Sequence, residues 1–323
     1  MSRLVIRAAE IAANDAEIAA NDEEKERGNL PVSPSPLPHD ASGAVSAVPT
    51  MKTAEAYAEV QRLTRRRARN FAYGIMVLPR EKRRAIAAIY AFARRVDDIA
   101  DGDLPVEEKR AQLEALDATL DSATEDDAMF VALGDARERF PIPDSSLHAL
   151  VAGGLQDLDQ TRYADFGELR DYCTKVAGAV GVACVAVYGS DDVRRAETLG
   201  IALQLINIIR DVREDWELER VYLPQDELAL FSVSEEDIAA GLPTAAWRAL
   251  MSFQAERARS FLRDGLGLVS TLDTRSALCV STFAGLYRAT LERIEAQGFD
   301  VFSGPPHLST LTKLRIVGGG LRR

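Results

Sequence analysis

The sequence predicts an all-α protein whose body is one helical domain. Apolar residues, mainly Ala, Val, Leu and Ile, recur at helical spacing over most of the chain, and alternating strand patterns with hairpin turns are absent. The 323 residues are 47% hydrophobic and 28% charged, which is enough apolar sequence to bury a sizeable core. We therefore predict a helical body over residues 51–310, an extension over 1–50 and a tail over 311–323.

Residues 1–50 have a composition that does not support a packed core. The hexapeptide EIAAND occurs at 10–15 and again at 17–22, and two copies are too few for a repeat architecture. Residues 30–49 are dense in Pro, Ser, Ala and Gly. We expect this part of the chain to be a disordered, low-complexity extension.

The body is predicted to be a succession of helices. The first covers residues 53–70 and is strongly basic in its second half, and Pro79 opens the second, which ends at Asp101 before Gly102. Further helices are predicted at 107–121, 144–159, 165–189, 191–216, 235–240, 244–265 and 274–297. Within them, the apolar run 176–188 is too short to span a bilayer and is interpreted as a buried helix.

Charge and cysteine content exclude several classes of function. The net charge of -11 argues against binding to duplex DNA and fits a protein that attracts cations. The three cysteines form no CxxC pair and the three histidines are scattered, so a zinc site of the usual type is not expected. No signal peptide is evident, since residues 1–22 are interrupted by acids. We expect a cytoplasmic protein, with peripheral membrane contact as the alternative.

Two apolar helices end in clusters of acidic residues. Asn207, Asp211 and Asp215 fall four residues apart and therefore share one helix face, and Asp97 and Asp101 do the same upstream. Acids near a helix C-terminus oppose the macrodipole, so they favour a compensating cation. Mg²⁺ suits this role because it takes oxygen ligands and retains substrate phosphate in its shell. Taken alone, each cluster is more simply interpreted as an ordinary solvated face.

Arginines accompany both clusters. Arg94 precedes Asp98 by one helical turn, and Arg210 is adjacent to Asp211. Ordinary surface ion pairing is the simpler interpretation. The functional one is a diphosphate held jointly by arginines and by metal-bound carboxylates. Because no Walker-type loop occurs, diphosphate is favoured as a leaving group over phosphoryl transfer from a nucleotide.

These segments resemble the squalene/phytoene synthase family, the head-to-head (1'-1) prenyl diphosphate synthases. Residues 88–101 resemble the first aspartate-rich motif of that family, 204–215 the second, 219–224 its extension and 172–181 the third signature. The similarity spans roughly residues 60–305. It implies an isoprenoid synthase fold around a central apolar cavity, with Mg²⁺ as cofactor and prenyl diphosphates as substrates.

The resemblance also implies roles for individual residues. Implied metal ligands are Asp97, Asp98 and Asp101 at one rim, and Asn207, Asp211 and Asp215 at the other. Implied catalytic residues are Tyr172, linked to steering the cation or removing a proton, with Arg94 and Arg210. Implied substrate-binding residues are Arg69, Asn70, Tyr90, Gln204, Arg220, Tyr222 and Tyr287. The chain departs from the family before Phe71, where Ala68, Arg69 and Asn70 replace phosphate-contacting serines.

The implied reaction joins two prenyl diphosphates and releases diphosphate. The form of the motifs and the lack of a C-terminal membrane anchor favour presqualene diphosphate from two farnesyl diphosphates. The alternatives are phytoene synthase, acting on two geranylgeranyl diphosphates, and squalene synthase using NADPH. For the same two reasons NADPH is not expected; the absence of a Rossmann fingerprint adds little, because reductive members of the family do not use one.

Two further classes remain as alternatives. A head-to-tail synthase or terpene cyclase shares paired acidic helices, but the signature around Tyr172 and the segment 220–224 speak against it. A non-catalytic family member acting in assembly would have little reason to keep both acidic clusters.

Overall fold

Long apolar helices form the body of the protein. The computed structural model describes residues 52–67, 74–122 and 126–304, with 306, 308, 309, 312, 315 and 316. Within these ranges the secondary structure is helical apart from one isolated parallel bridge between Arg162 and Val221. The prediction of an all-α protein is confirmed. The predictions for residues 1–50, for Arg69 and Asn70, and for most of the tail lie outside the described residues.

Twelve α-helices are present in the described part of the chain. They are α1 (Thr53–Arg67), α2 (Arg80–Asp101), α3 (Val106–Leu120), α4 (Ala128–Arg139), α5 (Asp144–Asp159), α6 (Phe166–Cys173), α7 (Ala179–Tyr188), α8 (Val193–Trp216), α9 (Gln225–Leu230), α10 (Glu235–Ala240), α11 (Ala245–Gly265) and α12 (Thr274–Ala296). A π-helical turn (Thr174–Gly178) joins α6 to α7, and a 3-10 turn (Leu266–Thr271) precedes α12.

Two of these helices were not predicted. Helix α4 is capped by the preceding residue Asp127, whose carboxylate accepts hydrogen bonds from the amides of Met129 and Phe130 and so defines the start of the helix. Its apolar residues come in one cluster followed by Gly134, and this weakens the helical period in the sequence. Helix α9 has six residues, which is too short for a period to be recognised.

The long helices run between two ends of the molecule, which we call the base and the rim. At the base, the Lys82 ammonium donates to the Tyr188 carbonyl at 2.7 Å and to the Asp273 carboxylate at 2.7 Å. This joins the start of α2, the end of α7 and the start of α12. At the rim, Arg220, which follows α8, reaches Asp101 at the end of α2. Helices α2 and α8 therefore both run from base to rim and bring their acidic ends to the same side.

Glycine allows α8 to lie directly against the π turn. A Cβ placed on Gly200 would come within 2.2 Å of the Ala177 carbonyl oxygen, and one on Gly181 within 2.3 Å of the Ala196 carbonyl oxygen. Backbone therefore contacts backbone along this interface. The continuous helix Phe166–Tyr188 is long and apolar enough to span a membrane. More than half of its most apolar 18-residue stretch is buried in the protein.

Candidate active site

Most of the predicted metal-binding side chains are buried at the rim. Asp97, Asn207, Asp211 and Asp215 are each between 1% and 4% exposed, and the Asp101 side chain is 8% exposed. They are buried because both acidic runs continue the apolar faces of α2 and α8. The structure thus places five oxygen-bearing side chains at one end of the helix bundle.

Asp98 is placed differently from its neighbours. Its side chain is 53% exposed, and it accepts a bond from Arg94 at 2.6 Å. Together with Arg94 it lines a pocket of about 550 Å³ between α1, α2 and the start of α4. Asp98 is one residue from Asp97 and therefore lies on a different face of α2.

The acidic cluster at the end of α8 is paired with an arginine. The Arg210 guanidinium binds both oxygens of Asp211 at 2.7 Å, in a bidentate arrangement that is almost fully buried. Burial lowers the pKa of Arg210, but the charge and hydrogen bonds of Asp211 outweigh this effect and raise it. The arginine thus stays charged inside the protein.

Arg220 connects the two acidic helix ends. Its guanidinium donates to the Asp101 carboxylate at 3.2 Å and to the Asp157 carbonyl at 3.3 Å, while its amide donates to the Asp215 carbonyl at 2.9 Å. The side chain is 9% exposed. Burial lowers the pKa of Arg220, but its electrostatic interactions with Tyr222, Asp157 and Asp101 outweigh this effect and raise the pKa well above its usual range.

A buried carboxylate, Asp157, organises the tyrosines of the site. The Tyr172 hydroxyl donates to one of its oxygens at 2.9 Å, and the Tyr222 hydroxyl donates to the other at 3.0 Å. The two tyrosine rings stack at 5.3 Å. Burial, followed by the charge of Asp157, raises the pKa of Tyr222 well above 10. Both tyrosines were predicted as site residues, and Asp157 was not.

Sequence reasoning missed Tyr163 as well. Its ring stacks on Tyr222 at 5.7 Å and packs against Tyr172 at 5.4 Å. The hydroxyl is buried and has no hydrogen-bond partner among the described residues. The segment that carries Tyr163 pairs with the extension after α8, since the Val221 amide donates to the Thr161 carbonyl at 2.9 Å. This pairing brings Tyr163 and Tyr222 together.

A signal for Asp157 was present in the sequence. It lies near the C-terminus of α5, where negative charge opposes the helix macrodipole, the same criterion that identified the two clusters. Applied to α5, that criterion would also have selected Asp159, which is exposed and pairs with Arg110. The criterion therefore finds Asp157 without distinguishing it from its neighbour.

Tyr287, on α12, lies beside Arg210 and Asn207 at the rim. Burial raises the pKa of its hydroxyl to about 12, opposed by the charge of Arg210 and by a hydrogen bond with Asn207. The Asn207 amide donates to Gln204 at 3.3 Å, and its carbonyl oxygen is buried without a partner among the described residues. Tyr90, on α2 one turn before Arg94, is 2% exposed.

The donor set fits Mg²⁺. All the predicted ligands offer oxygen, which hard divalent cations prefer, and the Asn207 carbonyl oxygen is an open acceptor. Among the described residues, no three His, Cys, Asp or Glu side chains are close enough to hold a metal ion by themselves. This is compatible with Mg²⁺, which usually binds one or two carboxylates and completes its shell with water and substrate phosphate.

Comparisons with known proteins agree with this geometry. Residues 64–312 match the family model described as squalene/phytoene synthase. A phytoene synthase from Mycobacterium tuberculosis is 42% identical over 274 residues, covering 83% of this chain and 91% of that protein. A 15-cis-phytoene synthase from Synechococcus elongatus is 36% identical over 278 residues, covering 80% of this chain and 90% of that protein.

Solved structures share the same fold. A dehydrosqualene synthase aligns with a TM-score of 0.78 at 24% identity, covering 84% of this chain and 96% of that one. The squalene synthase HpnC from Alicyclobacillus acidocaldarius aligns with a TM-score of 0.71 at 28% identity, covering 76% of this chain and 95% of that one. The predicted isoprenoid synthase fold is thereby confirmed.

Proposed function

The chain belongs to the squalene/phytoene synthase family, and we propose that it joins two geranylgeranyl diphosphates head to head to form phytoene. Members of this family are prenyltransferases that condense prenyl diphosphates. The choice of geranylgeranyl diphosphate is supported by relatives named phytoene synthase, at 42% and 36% identity over most of this chain. It differs from the farnesyl diphosphate favoured by the motifs alone.

The observation that carries the proposed chemistry is the connection through Arg220. This buried cation links Asp101, in the first acidic cluster, to the backbone of Asp157, whose carboxylate binds Tyr172. One group of side chains thus spans the proposed diphosphate end and the proposed proton acceptor of the site. A scaffolding protein would have no reason to bury this many charges.

In the proposed mechanism, arginines hold the departing diphosphate. Arg94, Arg210 and Arg220 are each paired with a carboxylate and each is suited to bidentate phosphate binding. When substrate arrives, the guanidinium groups exchange carboxylate for phosphate oxygen. Asp97, Asp101, Asn207, Asp211 and Asp215 would hold Mg²⁺, which when bound neutralises charge on the leaving diphosphate.

Loss of diphosphate from one substrate leaves an allylic cation at C1, and the double bond of the second substrate attacks it. A proton must then leave for the cyclopropane ring to close. We assign that proton to Tyr172, and the assignment is supported by the hydrogen bond at 2.9 Å that directs its own hydroxyl proton to Asp157. The products of this first step are prephytoene diphosphate, diphosphate and a proton. Loss of the second diphosphate, rearrangement of the resulting cation and loss of a second proton then give phytoene.

The second candidate is presqualene diphosphate from two farnesyl diphosphates. It is favoured by the 28% identity to the squalene synthase HpnC. The two candidates differ in tail length and in the fate of the cyclopropane, and they share every polar residue named above.

One experiment decides between them. The purified full chain is incubated with Mg²⁺ and either farnesyl or geranylgeranyl diphosphate, with and without NADPH, and the products are identified by mass spectrometry. Phytoene from the C20 substrate alone is the expected result. Presqualene diphosphate from the C15 substrate would establish the second candidate, and squalene only with NADPH would establish a reductive enzyme. No product from either substrate would refute the proposal.

A further inference from the structure

An apolar stripe descends from the candidate site along α7. Below Tyr172, residues Val176, Val180, Cys184 and Tyr188 recur every four positions, so they share one helix face through the π turn and α7. The stripe starts at the proposed proton acceptor and ends at the base. It presents aliphatic groups, one thiol and finally one large aromatic ring.

A second stripe descends along α12 and meets the first. Below Tyr287, Phe283 and Cys279 recur every four residues. Two helical turns separate Tyr287 from Cys279, a descent of about 12 Å by helical rise. At the lower end, the Tyr188 hydroxyl lies 3.7 Å from the Cys279 sulfur. The two stripes begin at different site residues and close on each other at this contact.

The middle of the first stripe keeps some accessible surface among buried neighbours. Burial raises the pKa of the Cys184 thiol to about 12, with a smaller contribution from Cys279, so protein surrounds this group. Cys184 nevertheless keeps part of its accessible surface. Its chain neighbours Ala183 and Val185 are buried, so an apolar group that fits against Cys184 would lie mostly within the protein. Val180, one turn nearer the rim, is also partly accessible.

At the lower end of the two stripes, the backbone is held in place. The backbone of Tyr188 is held by Lys82, whose ammonium donates to its carbonyl at 2.7 Å and also binds Asp273. Tyr188 itself is 7% exposed, and Cys279 is fully buried behind it. The Lys82 contact holds the backbone of Tyr188, and its buried side chain meets Cys279, so a ligand tail could displace the ring only by disturbing packed neighbours.

We propose that Tyr188, backed by Cys279, is the floor of the prenyl-tail chamber and limits the length of the tail that the enzyme accepts. The inference rests on the proposed function, since it requires a diphosphate bound at the rim with its tail directed to the base. It deepens that function by assigning tail-length selection to one side chain. The ring bulk is the selective element, and the hydroxyl is not.

The test measures binding and turnover across tail lengths. Non-reactive thiolodiphosphate analogues with C15, C20 and C25 tails are titrated calorimetrically into the wild type, Y188A, Y188L and Y188F. Y188A and Y188L are expected to improve the affinity for C25 relative to C20 by at least about 10-fold, since a single extra methylene already discriminates by about that factor in an apolar pocket. Y188F is expected to keep the wild-type order because its ring is unchanged. Relative kcat/KM for the C20 and C25 diphosphates should shift in the same direction.

The outcomes separate the two proposals. An unchanged length preference in Y188A or Y188L, with wild-type circular dichroism, would overturn the floor assignment while wild-type binding still supports the proposed function. A shift in Y188F equal to that in Y188L would assign selection to the hydroxyl and overturn it as well. If Y188A fails to fold, Y188L decides, because leucine keeps a buried aliphatic group at this position while removing the ring. Failure of every analogue to bind the wild type would refute the proposed function, and the floor with it.

Discussion

The Tyr172 hydroxyl donates to Asp157 over 2.9 Å, and this carboxylate is 2% exposed. The tyrosine belongs to a motif that resembles a family signature, whereas the aspartate lies outside all the motifs. A buried carboxylate that accepts from two tyrosines holds both rings in one orientation. The pair therefore links a residue recognisable from sequence to one that the fold supplies.

Removing the Tyr172 hydroxyl should reduce turnover. Y172F deletes the proposed proton acceptor and keeps the ring, so kcat should fall by about 10²–10⁴-fold. The matched control is Y163F, since the Tyr163 hydroxyl is buried in the same cluster and has no partner among the described residues. Y163F should keep kcat near the wild-type value, with an unchanged or higher free energy of unfolding. Equal losses in both variants would show that the cluster acts through packing alone.

Substitutions of the adjacent residues Asp97 and Asp98 should have different effects on activity and on the Mg²⁺ requirement. Asp97 is 2% exposed at the rim, and the Asp98 side chain is 53% exposed. D97N should lower kcat/KM by about 100-fold or more and raise the Mg²⁺ concentration needed for half-maximal activity. D98N should change either quantity much less. Activity would be titrated against Mg²⁺ after chelation, and similar profiles for the two variants would contradict the assignment of Asp97.

Loss of Arg220 should destabilise the rim. Replacing it with methionine leaves Asp101 buried without this partner, so R220M should lower the free energy of unfolding by about 3–5 kcal/mol. R220K should recover part of that loss because the charge remains. As a control, R110M removes an exposed pair with Asp159 and should leave the unfolding free energy almost unchanged. Denaturant melts of the three variants measure this, and a small effect of R220M would mean that water replaces the arginine.

Gly200 should not tolerate alanine. The added methyl would overlap the Ala177 carbonyl oxygen in the π turn, so G200A should cost about 1–3 kcal/mol and lower kcat by moving the turn that follows Tyr172. G134A is the matched control, because a Cβ there meets nothing within 4 Å and the helix should gain up to about 1 kcal/mol. The melting temperature should fall in G200A and rise in G134A. A neutral G200A would show that α7 and α8 can separate without cost.

Lys82, at the base, should make a pH-dependent contribution to the free energy of unfolding. Its hydrogen bond lowers the pKa of Asp273 below 3.8, against the effect of burial. A lowered pKa contributes stability that is present above 3.8 and lost as pH falls through the folded-state value. The K82M deficit should therefore be largest near neutral pH, at about 1 kcal/mol from this half-exposed pair, and shrink below pH 3.8.

The variant H148Q should show the opposite pH dependence of stability. The hydrogen bond that His148 donates to Asp117 raises the pKa of His148 above 6.5, so its contribution to stability is present at acidic pH and fades as pH rises through the raised value. Thermal melts of K82M and H148Q across pH should therefore diverge in opposite directions. A K82M deficit that does not change with pH would assign Lys82 only to its bond with the Tyr188 carbonyl.

Much of the site was predictable because it depends on helix geometry alone. Asn207, Asp211 and Asp215 share a face of α8 for the same reason that any residues four apart do, and the structure buries all three. Their assignment as metal ligands remains a proposal. The same spacing rule does not say which face of α2 is covered. Asp98 therefore stood beside Asp97 in the prediction, although its side chain is largely exposed.

The sequence by itself determined the all-α class, the long helices and the two acidic clusters, since each follows from local periodicity and from residue types a few positions apart. Only the tertiary structure decided that Asp157 and Tyr163 join the site, that Arg220 bridges the acidic ends and that Tyr188 meets Cys279. These contacts join residues separated by 59 to 119 positions, as in Tyr163 with Tyr222 and Arg220 with Asp101. They depend on how helices pack against one another, and that packing is set by side chains from the whole core at once, which no local pattern records.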